Sequence, residues 1–103
     1  MNGPNQIVME FDSIDSEGTY AKIRRAVRHV IAEWVDYYRM PVRRKKLVEL
    51  VCFELGDLCE SRGKRNMLRT IDFEIMRMAR RGEIVKVLDA YNRKAVYFIL
   101  PEH

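Results

Sequence analysis

Six residues, Asn66, Arg69, Thr70, Phe73, Arg77 and Arg80, follow the spacing 3, 1, 3, 4, 3. At about 100° per residue they share one side of a helix. A helix fits the major groove of duplex DNA and presents side chains at this spacing to base edges. Arginine offers a fork of donors to guanine, asparagine pairs bidentately with adenine, and threonine meets a thymine methyl or a phosphate. Acid is sparse on this side: Glu74 sits at its edge and Asp72 on the far flank. Asn66, Arg69, Thr70, Phe73 and Arg77 are therefore the candidate base-contacting residues. The plain alternative is an ordinary solvated face. Phe73 weighs against it, because an exposed phenylalanine marks a contact, with a base methyl or with a partner protein. Packing under a neighbouring element would instead make Phe73 core.

Further basic clusters complete a possible footprint on phosphates. Arg39, Arg43, Arg44, Lys45 and Lys46 surround Pro41, where a helix begins. Helix N-termini attract phosphate through free N–H groups, and basic side chains reinforce this. Arg62, Lys64 and Arg65 stand in the turn before the groove-reading segment, and Arg93 and Lys94 follow Tyr91 and Asn92 in a later loop. The candidate phosphate contacts are Arg43, Arg44, Lys45, Lys46, Lys64, Arg65, Arg80, Arg93 and Lys94. Solvated charge is the competing account of each cluster.

Patterns for enzymatic chemistry are missing from the sequence. No glycine-rich phosphate loop, HExxH pair or nucleophile elbow occurs. His29 lies on a polar helix face without a metal-ligand pattern and reads as a solvated imidazole; His103 is terminal. Cys52 and Cys59 are seven apart. On one continuous helix that is about 10.5 Å along the axis. The spacing is too long for a disulfide, so both read as core thiols. Neither catalysis, a metal, a cofactor nor a small-molecule ligand is expected.

The chain has 103 residues, one domain's worth, with 48% apolar and 33% charged residues. That composition excludes a wholly disordered chain and demands a densely charged surface. Nineteen basic residues against 15 acidic ones give a net charge of +4. The excess is uneven: residues 1–20 carry four acids and no base, leaving +8 on the rest. Thirteen arginines to six lysines and a single glutamine, Gln6, would suit a thermophile. With no secretory signal at the start and no apolar run of bilayer length, the expected setting is cytoplasmic, at the nucleoid, with no membrane partner.

Periodicity supplies the elements that position these residues. Residues 1–16 read as an acidic tail or arm, with a loop over 2–5 and either a short strand or a docking arm over 7–11. Ser16 is a candidate N-cap for a first amphipathic helix over 17–39. Its apolar stripe contains Ile23, Val27, Val30, Ile31 and Trp34. A second helix over 42–60 is apolar on most sides, which makes it central. A third over 66–81 buries Met67, Leu68, Ile71, Ile75, Met78 and Ala79 and ends at Gly82. Residues 84–88 and 95–100 are β-branched and aromatic, and read as a hairpin around the loop 89–94.

The order helix, helix, helix, strand, loop, strand resembles the winged-helix branch of the helix-turn-helix superfamily. The junction Met78-Ala79-Arg80-Arg81-Gly82-Glu83-Ile84-Val85-Lys86-Val87 carries the likeness most directly. The resemblance covers residues 19–100. It implies an α+β, mainly helical fold with three helices followed by a two-stranded β-hairpin wing, over 17–103. It implies that 66–81 is the recognition helix and that the wing, 89–94, lies on the backbone or in the minor groove. A second helix of about 19 residues is longer than the family's compact one. The alternative is a break at Gly56 that gives helices over 43–55 and 57–62, with 17–39 an added N-terminal helix.

The expected function is binding of double-stranded DNA as a transcriptional regulator and homodimer. Two copies would match two half-sites one turn apart, with Trp34, Tyr37 and Tyr38 as candidate interface residues. The alternatives are a winged-helix module for protein–protein interaction within a larger complex, and a sequence-independent architectural DNA binder.

Overall fold

A computed structural model describes the backbone of residues 3–101 and side chains from residue 18 onward. Seven elements follow in order: α1 (Gly3–Tyr38), β1 (Val42–Arg43), α2 (Arg44–Leu55), α3 (Asp57–Arg62), α4 (Lys64–Arg80), β2 (Val85–Leu88) and β3 (Val96–Ile99). The fold is α+β and mainly helical, with one small antiparallel sheet in the order β1-β3-β2.

Helix α1 passes through the residues expected to be tail. It begins at Gly3, so Ser16 is inside it rather than capping it, and residues 7–11 are helical rather than extended. Two physical reasons account for this. Proline is tolerated in the first turn of a helix, where Pro4 stands. Ile7, Phe11 and Ile14 recur at intervals of four and three, a helical period. Of the expected loop over 2–5, residues 3–5 are helical and residue 2 lies outside the described residues, as do residue 1, Glu102 and His103.

The long second helix is two helices. Gly56 takes φ +37° and ψ −98°, and its N–H reaches back to the carbonyls of Cys52 and Phe53. That ends α2 and starts α3 at Asp57. Gly63, at φ +89°, makes the next turn into α4. The C-terminus of α4 closes as the sequence predicts. Gly82 N–H donates to Ala79 O (3.1 Å) and Glu83 N–H to Met78 O (2.9 Å), the paired bonds of a Schellman end.

One strand was not legible in the sequence. Val42 and Arg43 pair with Phe98 and Tyr97 of β3, giving the hairpin a third strand. Two residues are too few to display an alternating pattern. Val42 and Phe98 are both fully buried, and this strand pins the entrance of α2 to the hairpin. The core is otherwise helical. Ile23, Val27 and Ile31 of α1 meet Leu47 and Val51 of α2 and Met67, Ile71, Ile75 and Met78 of α4.

Candidate nucleic-acid interface

Helix α4 buries one side and opens the other. Asn66, Arg69, Phe73, Arg77 and Arg80 are exposed, whereas Met67, Ile71, Ile75 and Met78 face the core. Phe73 is 60% exposed, so it does not pack under the hairpin. Thr70 is half-buried, and its hydroxyl donates to Asn66 O at 2.9 Å. That proton is already used within the helix, which leaves the methyl and the oxygen lone pairs for any contact.

The two acids of α4 are satisfied on opposite flanks. Asp72 accepts two hydrogen bonds of 2.7 Å from Nε and Nη2 of Arg44, a bidentate pair that ties α4 to the start of α2. Glu74 is only 2% exposed, contrary to its expected place at the edge of the open face. It receives Arg24 Nη1 of α1 at 3.3 Å, Arg81 Nη2 at 3.2 Å and Arg77 Nη1 at 3.4 Å. Arg77 also lies 6.0 Å from the centroid of the Tyr20 ring. Arg81 continues to Glu83 at 2.7 Å, which Arg28 reaches at 3.4 Å. Glu83 first, then Glu74, raises the Arg81 pKa above its ordinary value.

This divides the basic residues into two groups. Arg44, Arg77 and Arg81 are engaged in holding the helices together. Arg65, Arg69 and Arg80 on α4, and Arg43, Lys45 and Lys46 beside β1, make no ion pair with a described residue. Lys64 likewise makes none. The open face of α4 therefore presents cations that have no ion pair among the described residues, with the carboxylates of Asp72 and Glu74 already paired.

The fold joins two of the expected clusters. An open cleft has Arg43, Arg44 and Lys45 at the entrance of α2, Asp72 on α4, and Lys94 and Ala95 of the hairpin along its walls. The hairpin loop is ordered by its own side chains. Asp89 Oδ1 accepts from the N–H of Tyr91 (2.8 Å) and Asn92 (3.3 Å), and Asn92 Oδ1 accepts from Lys94 N–H (3.2 Å). These Asx turns hold Tyr91 fully exposed at the tip, with Arg93 and Lys94 exposed beside it.

A different surface gathers the three aromatic residues at the C-terminal end of α1. Trp34 and Tyr38 have ring centroids 4.2 Å apart, and Tyr37 meets Tyr38 edge-on at 4.8 Å. Trp34 is half-buried against the core, and its Nε1 is buried with no hydrogen-bond partner among the described residues. Phe53 of α2, 85% exposed, borders the same hollow with Leu50.

His29 is more than a solvated imidazole. Its Nδ1 lies 3.0 Å from Glu54 of α2, and its Nε2 lies 3.2 Å from Glu33. Both ring nitrogens facing carboxylates favours the imidazolium, the one form with two donors. Hydrogen bonding and charge from Glu54, with a smaller contribution from Glu33, raise its pKa above 6.5.

Sequence reasoning missed the roles of Glu74, Asp72 and Asp89. A faint signal for Glu74 was present: Arg77 and Arg81 follow it by three and seven residues, on its own side of the helix. Its third partner, Arg24, is 50 residues away, and no local pattern points to it. Comparison with protein-family models, curated proteins and solved structures finds no match. No helix among the described residues is long and apolar enough to cross a membrane.

Proposed function

We propose that this chain is a winged-helix protein that binds double-stranded DNA and regulates transcription as a homodimer. In this reading α4 enters the major groove and the β2–β3 hairpin is the wing. The observation that carries it is the open face of α4. Asn66, Arg69, Phe73 and Arg80 are exposed there, and the adjacent acids Asp72 and Glu74 are already neutralised. Such a face attracts a polyanion and still offers a guanidinium and an amide for base edges. Sheet order adds support. Strand β1 draws Arg43 and Lys45 to the cleft that Lys94 also lines, so phosphate-binding groups flank the helix. The aromatic group around Trp34, Tyr37 and Tyr38 is the surface we assign to the second copy.

Titration of a labelled duplex at several salt concentrations tests the reading. Binding should weaken steeply as salt rises, because each phosphate contact releases counterions. Binding that is missing at about 50 mM salt, or indifferent to salt, overturns it. Selection of duplexes from a random pool then separates a regulator, which enriches a site, from an architectural binder, which does not.

Exposed aromatics favour one second reading, a protein-interaction module. Phe53 and Phe73 lie largely in solvent on separate faces, and neither is needed by the core. If that reading holds, Phe73→Ala abolishes partner capture while the chain shows no salt-dependent affinity for any duplex.

A further inference from the structure

Cys52 belongs to α2 and Cys59 to α3, on either side of Gly56. The expectation that they stand too far apart assumed one continuous helix, and the break removes that assumption. At φ +37° and ψ −98° Gly56 redirects the chain, and α3 turns back so that the two thiols meet. The Cys52 Sγ lies 2.7 Å from the Cys59 Sγ, well inside the ordinary contact distance of two sulfur atoms. Both residues are buried. Burial first, then the hydrogen bond with Cys52, pushes the Cys59 thiol up to about 12. A surface cleft lined by Glu49, Phe53, Glu60 and Lys64 reaches both. Packing alone gives no reason for two sulfurs to touch in a core that has ample aliphatic carbon.

We propose that Cys52 and Cys59 are a disulfide-forming pair, and that oxidation staples α2 to α3 across the turn at Gly56. The oxidant is a small-molecule or protein disulfide, acting by thiol–disulfide exchange. One cysteine, as thiolate, attacks it through the cleft, forms a mixed disulfide and expels a thiolate. The second cysteine loses its proton and attacks the mixed disulfide, releasing the other thiolate. Two S–H bonds are lost, one S–S bond forms within the chain, and two electrons reduce the external disulfide to two thiols. The staple closes the short loop from Cys52 to Cys59, and what it fixes is the turn at Gly56 between α2 and α3. The proposal is independent of DNA binding and stands if that function fails.

The 103-residue chain is equilibrated with oxidised glutathione or with a reductant, acid-quenched, denatured, and labelled with a maleimide for intact-mass measurement. After denaturation, oxidised chain should show the mass of a single chain with no disulfide between chains, take no label and be lighter by about two hydrogens; reduced chain should take two labels. In thermal unfolding, reduction should lower the Tm by about 10 °C, from lost loop constraint. The C52S/C59S double variant should show no response to reductant. Two labels on the oxidised chain, cross-links only between chains, or a Tm unmoved by reduction each overturn the proposal. The labelling result on the natural chain decides it even if the double variant does not fold.

Discussion

Glu74 is the residue whose environment departs furthest from its sequence context. A carboxylate removed from water needs charge and hydrogen bonds around it, and Arg24, Arg77 and Arg81 supply both. Glu74→Gln keeps the shape and removes the charge. It should cost about 1–3 kcal/mol in urea unfolding, since the three arginines are partly hydrated and return to solvent easily. Arg69 has the opposite character, exposed and without an ion pair to a described residue. Arg69→Ala should leave stability unchanged and weaken specific duplex binding by about 1–3 kcal/mol, read from titration of the selected site. At His29 the pKa is higher in the folded chain than the unfolded value of about 6.5. Its link to Glu54 therefore stabilises the fold below that pH and is lost as pH climbs through the raised folded value. An NMR titration should place the His29 midpoint above 6.5, and Glu54→Gln should bring it down.

Elements here are set by their breaks as much as by their periodicity. The apolar pattern over 42–60 runs on through Gly56, and Leu47, Val51 and Cys52 on α2 and Cys59 on α3 are buried, but the single helix it suggests is two. Pattern alone does not tell a continuous helix from a broken one, because glycine inside a helix is merely unfavourable. The structure selects the break. An added Cβ at Gly56 would find its nearest neighbour, the Phe53 carbonyl oxygen, at an ordinary 3.8 Å. The obstacle to any other residue is thus the backbone conformation rather than space. Gly56→Ala should lower stability by roughly 1–3 kcal/mol in chemical denaturation. Strand β1 makes the complementary point: Val42 and Arg43 become a strand only because β3 offers them partners.

At the scale of the molecule, charge is sorted by neighbours that are distant in sequence. The excess of +8 over residues 21–103 was visible from composition, and so were its clusters. Which cations remain unpaired was not. If the wing contacts phosphates, Arg93→Ala and Lys94→Ala should each weaken binding to every duplex and flatten the salt slope by about 0.9. Their slopes measured on selected and random duplexes should agree. The sequence alone determined the helical body, the buried stripes of α1 and α4, the hairpin and the open side of α4. These follow from periodicity, β-branched runs and the glycine at a helix end, all of them local. Only the tertiary structure decided that α2 and α3 are separate, that β1 exists, that Cys52 meets Cys59, and that Arg44 and Arg24 serve the fold while Arg69 has no ion pair among the described residues. Each of those depends on a partner brought near by folding, and no spacing along the chain encodes that proximity.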